Sequence, residues 1–222
     1  MKKLALSLII FILYIYSAYS QINDPISYGL NAAIKSGVSV VETPIGRQNG
    51  LSINQYPDIN LSLYIPLTET SPLGTITDLG LNNYSYLIKD FATGKKYTNS
   101  LSYIGLSQSL FFKGITFGFG INFPISYDID GATQNLDNVN TIIDLKFGYN
   151  YTIYKDESAK FAIFIKAYYQ LNGNFSDFTK NDPFKTLIPE VTGYPINNSH
   201  TPRAAALAIG FAYYFLNQTK ND

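Results

Sequence analysis

Apolar and polar residues alternate with a period of two along most of this chain, the signature of β-strands whose two faces meet unlike surroundings. In Ile115-Thr116-Phe117-Gly118-Phe119-Gly120-Ile121-Asn122-Phe123 every odd position is large and apolar, and every even position is small or polar. Ile143, Leu145, Phe147, Tyr149, Tyr151 and Ile153 share one face, opposed by Asp144, Lys146, Gly148 and Asn150. The last such segment sets Leu207, Ile209, Phe211, Tyr213 and Phe215 against Ala204, Ala206, Ala208, Gly210 and Ala212. Helical periodicity is absent. The pattern predicts eight strands, near 26–36, 58–66, 75–88, 100–112, 115–127, 140–153, 161–172 and 203–216. In the third, Leu79 and Leu81 sit on one parity and Tyr84, Tyr86 and Ile88 on the other, which predicts a bulge near Asn82-Asn83.

The connections alternate in length. Long segments near 37–57, 89–99, 128–139 and 173–202 follow the odd strands. Shorter links near 67–74, at Lys113-Gly114 and near 154–160 follow the even ones. A meander with long loops at one end and tight turns at the other is the layout of a membrane-spanning barrel. An even strand number puts both termini at the turn end, expected to be periplasmic.

Composition sharpens this picture. The 222 residues carry a formal net charge of zero and only 14% charged residues, against roughly 25% in an ordinary soluble domain. Nothing here would hold nucleic-acid phosphates. The absence of Cys excludes disulfides, thiol nucleophiles, iron–sulfur clusters and Cys-ligated zinc. Lys2 and Lys3, the apolar run from Leu4 to Ile15 broken only by Ser7, and Ala18-Tyr19-Ser20 form a secretory signal-peptide pattern. Cleavage is expected between Ser20 and Gln21, leaving one domain over 21–222. Without Lys2 and Lys3 there remain 14 basic residues against 16 acidic.

A soluble barrel needs a charged exterior and an apolar lining. Here one face of each strand is a row of Ile, Leu, Phe and Tyr. The other is Gly, Ala, Ser and Asn with a few charges, namely Lys35, Asp78, Asp144, Lys146 and Lys166. The small-residue face suits the narrow lumen of an eight-stranded barrel, where inward charges can pair with one another. The bulky face suits lipid, because a closed sheet leaves no backbone polar group unpaired in hydrocarbon. Tyr127, Tyr149, Tyr151, Tyr169 and Tyr213 fall near strand ends, where an interfacial girdle is expected. The predicted fold class is therefore all-β, a transmembrane antiparallel up-and-down barrel of eight strands.

Over about residues 22 to 216 the chain resembles the outer membrane protein β-barrel domain family of Gram-negative bacteria. The resemblance rests on the signal peptide, on Ser102-Tyr103-Ile104-Gly105-Leu106 leading through Phe112-Lys113-Gly114 into Phe117-Gly118-Phe119-Gly120, and on the closing segment Ala205 to Phe215. It implies residence in the outer membrane, contact with its lipid, and insertion by the outer-membrane assembly machinery. Many family members end on a terminal aromatic, whereas Phe215 is followed here by Leu216 and the polar tail Asn217 to Asp222.

Candidate chemistry is sparse. His200, the only His, follows Ser199 in the longest loop, near Glu190 and Asp182, without a recognisable nucleophile motif. Asp128-Ile129-Asp130-Gly131 looks like a fragment of a calcium loop, but the twelfth position from Asp128 is Val139 where Glu is required. Gly118-Phe119-Gly120 lies mid-strand, where Gly makes room in the lumen. Asn-x-Ser/Thr triplets such as Asn174-Phe175-Ser176 matter only in a eukaryotic secretory pathway. No catalytic residue, metal or cofactor is expected. The remaining candidates are the lumen charges and the loop aromatics Phe175, Phe178, Phe184 and Tyr194, which either fold over the barrel mouth or contact a partner. The expected role is that of a monomer, non-enzymatic, structural or surface-interacting through its loops, with a ligand that the sequence does not name. A small-solute pore, and a lipid-modifying enzyme or protease using His200, are the alternatives.

Overall fold

The computed structural model describes residues 25–43, 46–67, 72–91, 94–181 and 200–216. The elements follow in the order β1 (Ser27–Ser39), β2 (Arg47–Gly50), β3 (Ser52–Ile53), β4 (Asp58–Pro66), β5 (Leu73–Asp90), β6 (Lys96–Phe112), β7 (Ile115–Ile129), β8 (Ala132–Thr133), β9 (Ile142–Lys155), β10 (Ala159–Gln170), a single helical turn α1 (Phe178–Asn181) and β11 (Ala204–Leu216). The eight long strands pair antiparallel in chain order, and β11 returns to pair with β1, so the sheet closes on itself. The expected signal peptide and the polar tail lie outside the described residues.

Closure runs the full length of the seam, from Ser27 against Leu216 to Ser39 against Ala204. The inward row of the seam is built from Gly29, Asn31, Ala33, Lys35, Gly37 and, across it, Ala204, Ala206, Ala208, Gly210 and Ala212. Small side chains here let eight strands curve around a lumen that side chains nearly fill. Along β4 the residues alternate without a break, Asp58, Asn60, Ser62 and Tyr64 buried, Ile59, Leu61, Leu63 and Ile65 exposed. The exposed apolar row recurs on every long strand, giving a continuous belt around the barrel. Tyr28 and Tyr213 lie on its turn-end margin, Tyr56 and Tyr169 on the opposite one, all four exposed. Tyr149 and Tyr151 sit half-buried on the outer face. At one turn, Lys113 and Gly114 both have positive φ (48° and 87°), the two-residue hairpin that follows the twist of the strands.

The wall is uneven in height. β5 has 18 residues and β4 only 9, so β5, β6 and β7 rise beyond the apolar belt at the long-loop end. There β2 pairs with β5 and β8 with β7.

The expected bulge at Asn82-Asn83 is absent: β5 and β6 keep one register from Leu73 against Phe112 to Lys89 against Lys96. Leu79 and Leu81 face out and Tyr84, Tyr86 and Ile88 face in, with no change of parity in the backbone. The misleading signal is the change of inward residues along β5, from Asp78, Gly80 and Asn82 to Tyr84, Tyr86 and Ile88. The outward Asn83 and Ser85 are polar and buried. Segment 54–57 covers them: Asn54 Nδ2 donates to the Asn83 carbonyl, Ser85 Oγ donates to Asn54 Oδ1 at 2.8 Å, and Asn83 Nδ2 donates to the Pro57 carbonyl at 2.8 Å.

Register shifts occur elsewhere. Between β6 and β7, Ser102 faces Ser126 while Tyr103 faces Pro124, leaving Ile125 extra. Pro124 has no N–H for a ladder, and such positions are where strands bulge. The shift inverts parity, so Tyr127 turns inward, 1% exposed, and is not part of the girdle. A second shift lies between Phe161 and Ala162, opposite Tyr154 and Thr152.

Leu61, between Leu30 and Leu79 on the outer face, tests the belt directly. Leu61→Arg is expected to cost about 2–4 kcal/mol if the residue faces the hydrocarbon midplane. Denaturant titration of the barrel in lipid vesicles measures this, and an unchanged midpoint would place that face in water.

Candidate functional site

The candidate site is the lumen, filled in three layers. The middle layer holds the charges. Lys35 on β1 and Asp58 at the start of β4 form an ion pair at 2.7 Å, both essentially without solvent contact. The Lys35 ammonium lies between two rings, 3.9 Å from the centroid of Tyr84 and 4.2 Å from that of Tyr168. Asp58 Oδ1 also accepts the Asn83 backbone N–H at 2.7 Å. A desolvated cation against an aromatic face is worth about 2 kcal/mol or more. The two rings and the carboxylate therefore offset much of what dehydrating Lys35 costs.

The other charges are distributed around this pair. Lys166 meets Asp78 at 3.5 Å, and Asp78 Oδ1 accepts hydrogen bonds from Ser62 Oγ and from Asn31 Nδ2 at 3.1 Å. Asp144 Oδ2 accepts from the Tyr84 hydroxyl and, at 3.1 Å, from Asn122 Nδ2. Lys146 lies 5.4 Å from the Tyr168 ring centroid. Space for these groups comes from the wall. A Cβ on Gly120 would fall 2.6 Å from Asp144 Oδ1 and 3.0 Å from Lys146 Cε.

Above the charges, towards the long loops, lies an aromatic layer. Tyr86, Tyr103 and Tyr127 are fully buried, with Leu101 and Ile142 between them. The Tyr127 hydroxyl donates to Asn99 Oδ1 at 3.0 Å. Phe175 and Phe178 descend onto this layer from the last long loop. Their rings stack at 5.9 Å, and Phe175 contacts Tyr127 at 5.1 Å between centroids. Backbone bonds fix the loop segment: Asn174 N–H to the Pro202 carbonyl, Asn140 N–H to the Asn174 carbonyl, and Ser176 N–H to the Asn138 carbonyl, each 2.8–2.9 Å. Below the charges, Tyr64 and Phe111 pack edge to face at 5.5 Å, with Ile76, Phe164 and Tyr214 around them. Lys160 lies 5.3 to 5.8 Å from the rings of Tyr64, Phe111 and Tyr214. A cavity of about 10 Å³ beside Tyr64, Phe111 and Lys160 in this layer has room for a single water.

All five charges expected in the lumen, Lys35, Asp78, Asp144, Lys146 and Lys166, are buried there. Among them, Lys35 forms an ion pair with Asp58 and Lys166 with Asp78. Asp58, Tyr84 and Tyr168 are the central residues that sequence reasoning missed. Asp58 was recoverable, because it shares parity with Asn60 and Ser62 on a strand of regular alternation. Of the four loop aromatics, Phe175 and Phe178 fold over the mouth, while Phe184 and Tyr194 lie outside the described residues.

The other candidates are placed as follows. His200 borders a small cleft at the rim with Glu42, Arg47 and Phe178. Ser199, Asp182 and Glu190 lie outside the described residues. Asp128 is used by its own hairpin, accepting from the Ser126 and Thr133 hydroxyls at 2.9 Å, and Asp130 Oδ1 accepts the N–H of Thr98 on the neighbouring β6 at 2.7 Å.

A closed eight-stranded meander, belted with apolar residues outside and filled within, defines a small transmembrane β-barrel of up-and-down topology. Among solved structures it is similar to the outer membrane protein OprG from Pseudomonas aeruginosa, at 11% identity over 89% of this chain and 99% of that one, with a TM-score of 0.41. Neisserial surface protein A (NspA) matches at 9% identity over 83% and 95% of the two chains, TM-score 0.36. Ail of Yersinia pestis matches at 9% identity over 86% and 99%, TM-score 0.32. No protein-family model and no curated protein sequence matches the chain. At these identities and TM-scores, the reading of this barrel rests on its own strands.

The Lys35–Asp58 pair generates a double-mutant test. Lys35→Met leaves Asp58 as an uncompensated buried charge, at an expected cost of about 3–5 kcal/mol. Lys35→Met with Asp58→Asn is expected to cost much less, because both charges are gone. Urea unfolding from lipid vesicles reads both, and additive losses would show the pair to be uncoupled.

Proposed function

We propose that this chain is a non-enzymatic outer-membrane barrel whose role is structural or surface-interacting, exerted through its long loops. In this reading residues 1–20 are a signal peptide removed on export, and both termini face the periplasm. The observation that carries it is the filling of the lumen: two aromatic layers enclose a charged one, and Phe175 and Phe178 close the long-loop end. A pore needs a continuous aqueous path, which side chains at these three levels occupy. Function then falls to surfaces displayed outside the membrane, the loops and the raised β5–β6–β7 wall.

The partners proposed on this reading are outer-membrane lipid around the belt, the assembly machinery during insertion, and an extracellular ligand of the loops, with the barrel acting as a monomer. His200 remains at the rim as a loop side chain without a proposed catalytic part.

Planar-bilayer recording of the refolded full chain tests the central point. Traces indistinguishable from bare membrane are expected. Stable unitary conductance would overturn the reading in favour of a small-solute pore. Deleting 182–199 from the surface-displayed protein is then expected to abolish binding to any partner found, while the heat-sensitive gel mobility of the folded barrel is kept.

A further inference from the structure

One feature of the outer wall interrupts the smooth belt. Four residues, 54–57, lie opposite only Ile34 and Lys35 of β1, because β1 pairs with β4 up to Ala33–Asp58 and resumes with β3 at Ser36–Ile53. The surplus chain projects from the barrel as a ledge. Its foot is fixed by Asn54, whose N–H donates to the Lys35 carbonyl at 2.8 Å. Beneath it lies a groove of about 750 Å³ on the outer face of β1, β11 and β10, with Ala32, Ile34, Ile163 and Ile209 on its floor and Ile53 and Gln55 at its ledge. Its size falls within the roughly 300–1,000 Å³ usual for small-molecule sites. It is deep because Ala32 stands where the neighbouring outward positions, Leu30 and Ile34, are large.

We propose that this groove seats one acyl chain of an outer-leaflet membrane lipid, with the ledge contacting that lipid's headgroup. The proposal rests on the orientation given under Proposed function, which puts the long-loop end outside. Two observations single out a lipid. First, the floor is continuous with the lipid-facing belt, so its occupant comes from the bilayer. Second, the ledge brings polar side chains to the outer face: the apolar row Ile65, Leu63, Leu61 and Ile59 of β4 is followed by Tyr56 and Gln55, both exposed, before Ile53 and Leu51. Tyr at this level is an interfacial residue. A chain lying along Ile209 and Ile34 would bring its headgroup to the Gln55 carboxamide, which can donate and accept hydrogen bonds.

Apolarity alone does not drive this binding, because neighbouring lipid tails are as apolar as the groove. Selectivity must come from shape under the ledge and from polar contacts at headgroup level. That makes both separable by mutation.

The experiment is native mass spectrometry of the full mature chain released from micelles containing lipid A. The wild type is expected to retain one lipid A per barrel. Ala32→Phe, which fills the floor, is expected to lower retention at least tenfold, and Leu106→Phe on the far wall to leave it unchanged. Gln55→Ala, which touches no strand pairing, is expected to lower it several-fold and serves if Ala32→Phe does not fold. Retention unaffected by either groove variant, or lost equally in Leu106→Phe, overturns the proposal. So does a dimer mass in the wild type that vanishes in Ala32→Phe, which would make a second copy the occupant. The orientation is checked separately: a protease site placed in the C-terminal tail and cut from outside intact cells would overturn that reading without reference to lipid retention.

Discussion

Every feature of this protein follows from one constraint: within hydrocarbon, no backbone N–H or C=O can be left without a partner. Each such group would cost several kcal/mol, and water is not there to relieve it. A sheet meets this condition only by closing, and here it closes between β1 and β11 over all 13 residues of each strand. Closure with eight strands then fixes the lumen's width, and the width dictates the inward residues. Gly and Ala crowd the seam because the backbones curve most tightly around a filled centre. The large residues, denied that centre over much of the wall, form the belt that faces lipid.

The interior is solved differently at each height. At mid-height, three Asp and three Lys are dissolved in a solvent made of side chains: hydroxyls, carboxamides and the π-faces of Tyr84 and Tyr168. Such a layer tolerates little editing, because a charge stranded in it is far more costly than the pair it came from. The aromatic layers above and below keep water from that centre. The loop segment carrying Phe175 and Phe178 belongs structurally to the barrel, since its rings continue the stack begun by Tyr127.

The sequence made the eight strands legible because lipid on one side and a crowded lumen on the other impose opposite demands on alternate residues. A strand of unbroken alternation, 58–66, emerged with the observed limits. Parity failed where the backbone or a neighbour intervened. Tyr127 read as outward because the inversion at Ile125 follows from Pro124 within a register that only pairing reveals. Tyr84, Tyr86 and Ile88 read as a break in β5 because the inward positions turn from polar to large apolar there. The segment burying the outward Asn83 and Ser85 comes from far earlier in the chain. Of the lumen residues, those carrying charge were visible individually. Their partners were not, since Lys35 and Asp58 meet through strand pairing, and Tyr84 and Tyr168 close around Lys35 from opposite sides of the barrel.

The seam also sets a calendar. Ser27 pairs with Leu216, so the first strand made is the last to be satisfied on its second edge. Contacts this far apart in sequence form slowly, since the loop they close is nearly the whole chain. Until β11 arrives, β1 offers an open edge able to template a foreign strand. Through most of folding, therefore, that edge is where the chain is most open to mispairing. A truncation of even the final strand would leave two open edges, and a molecule whose natural fate is to aggregate.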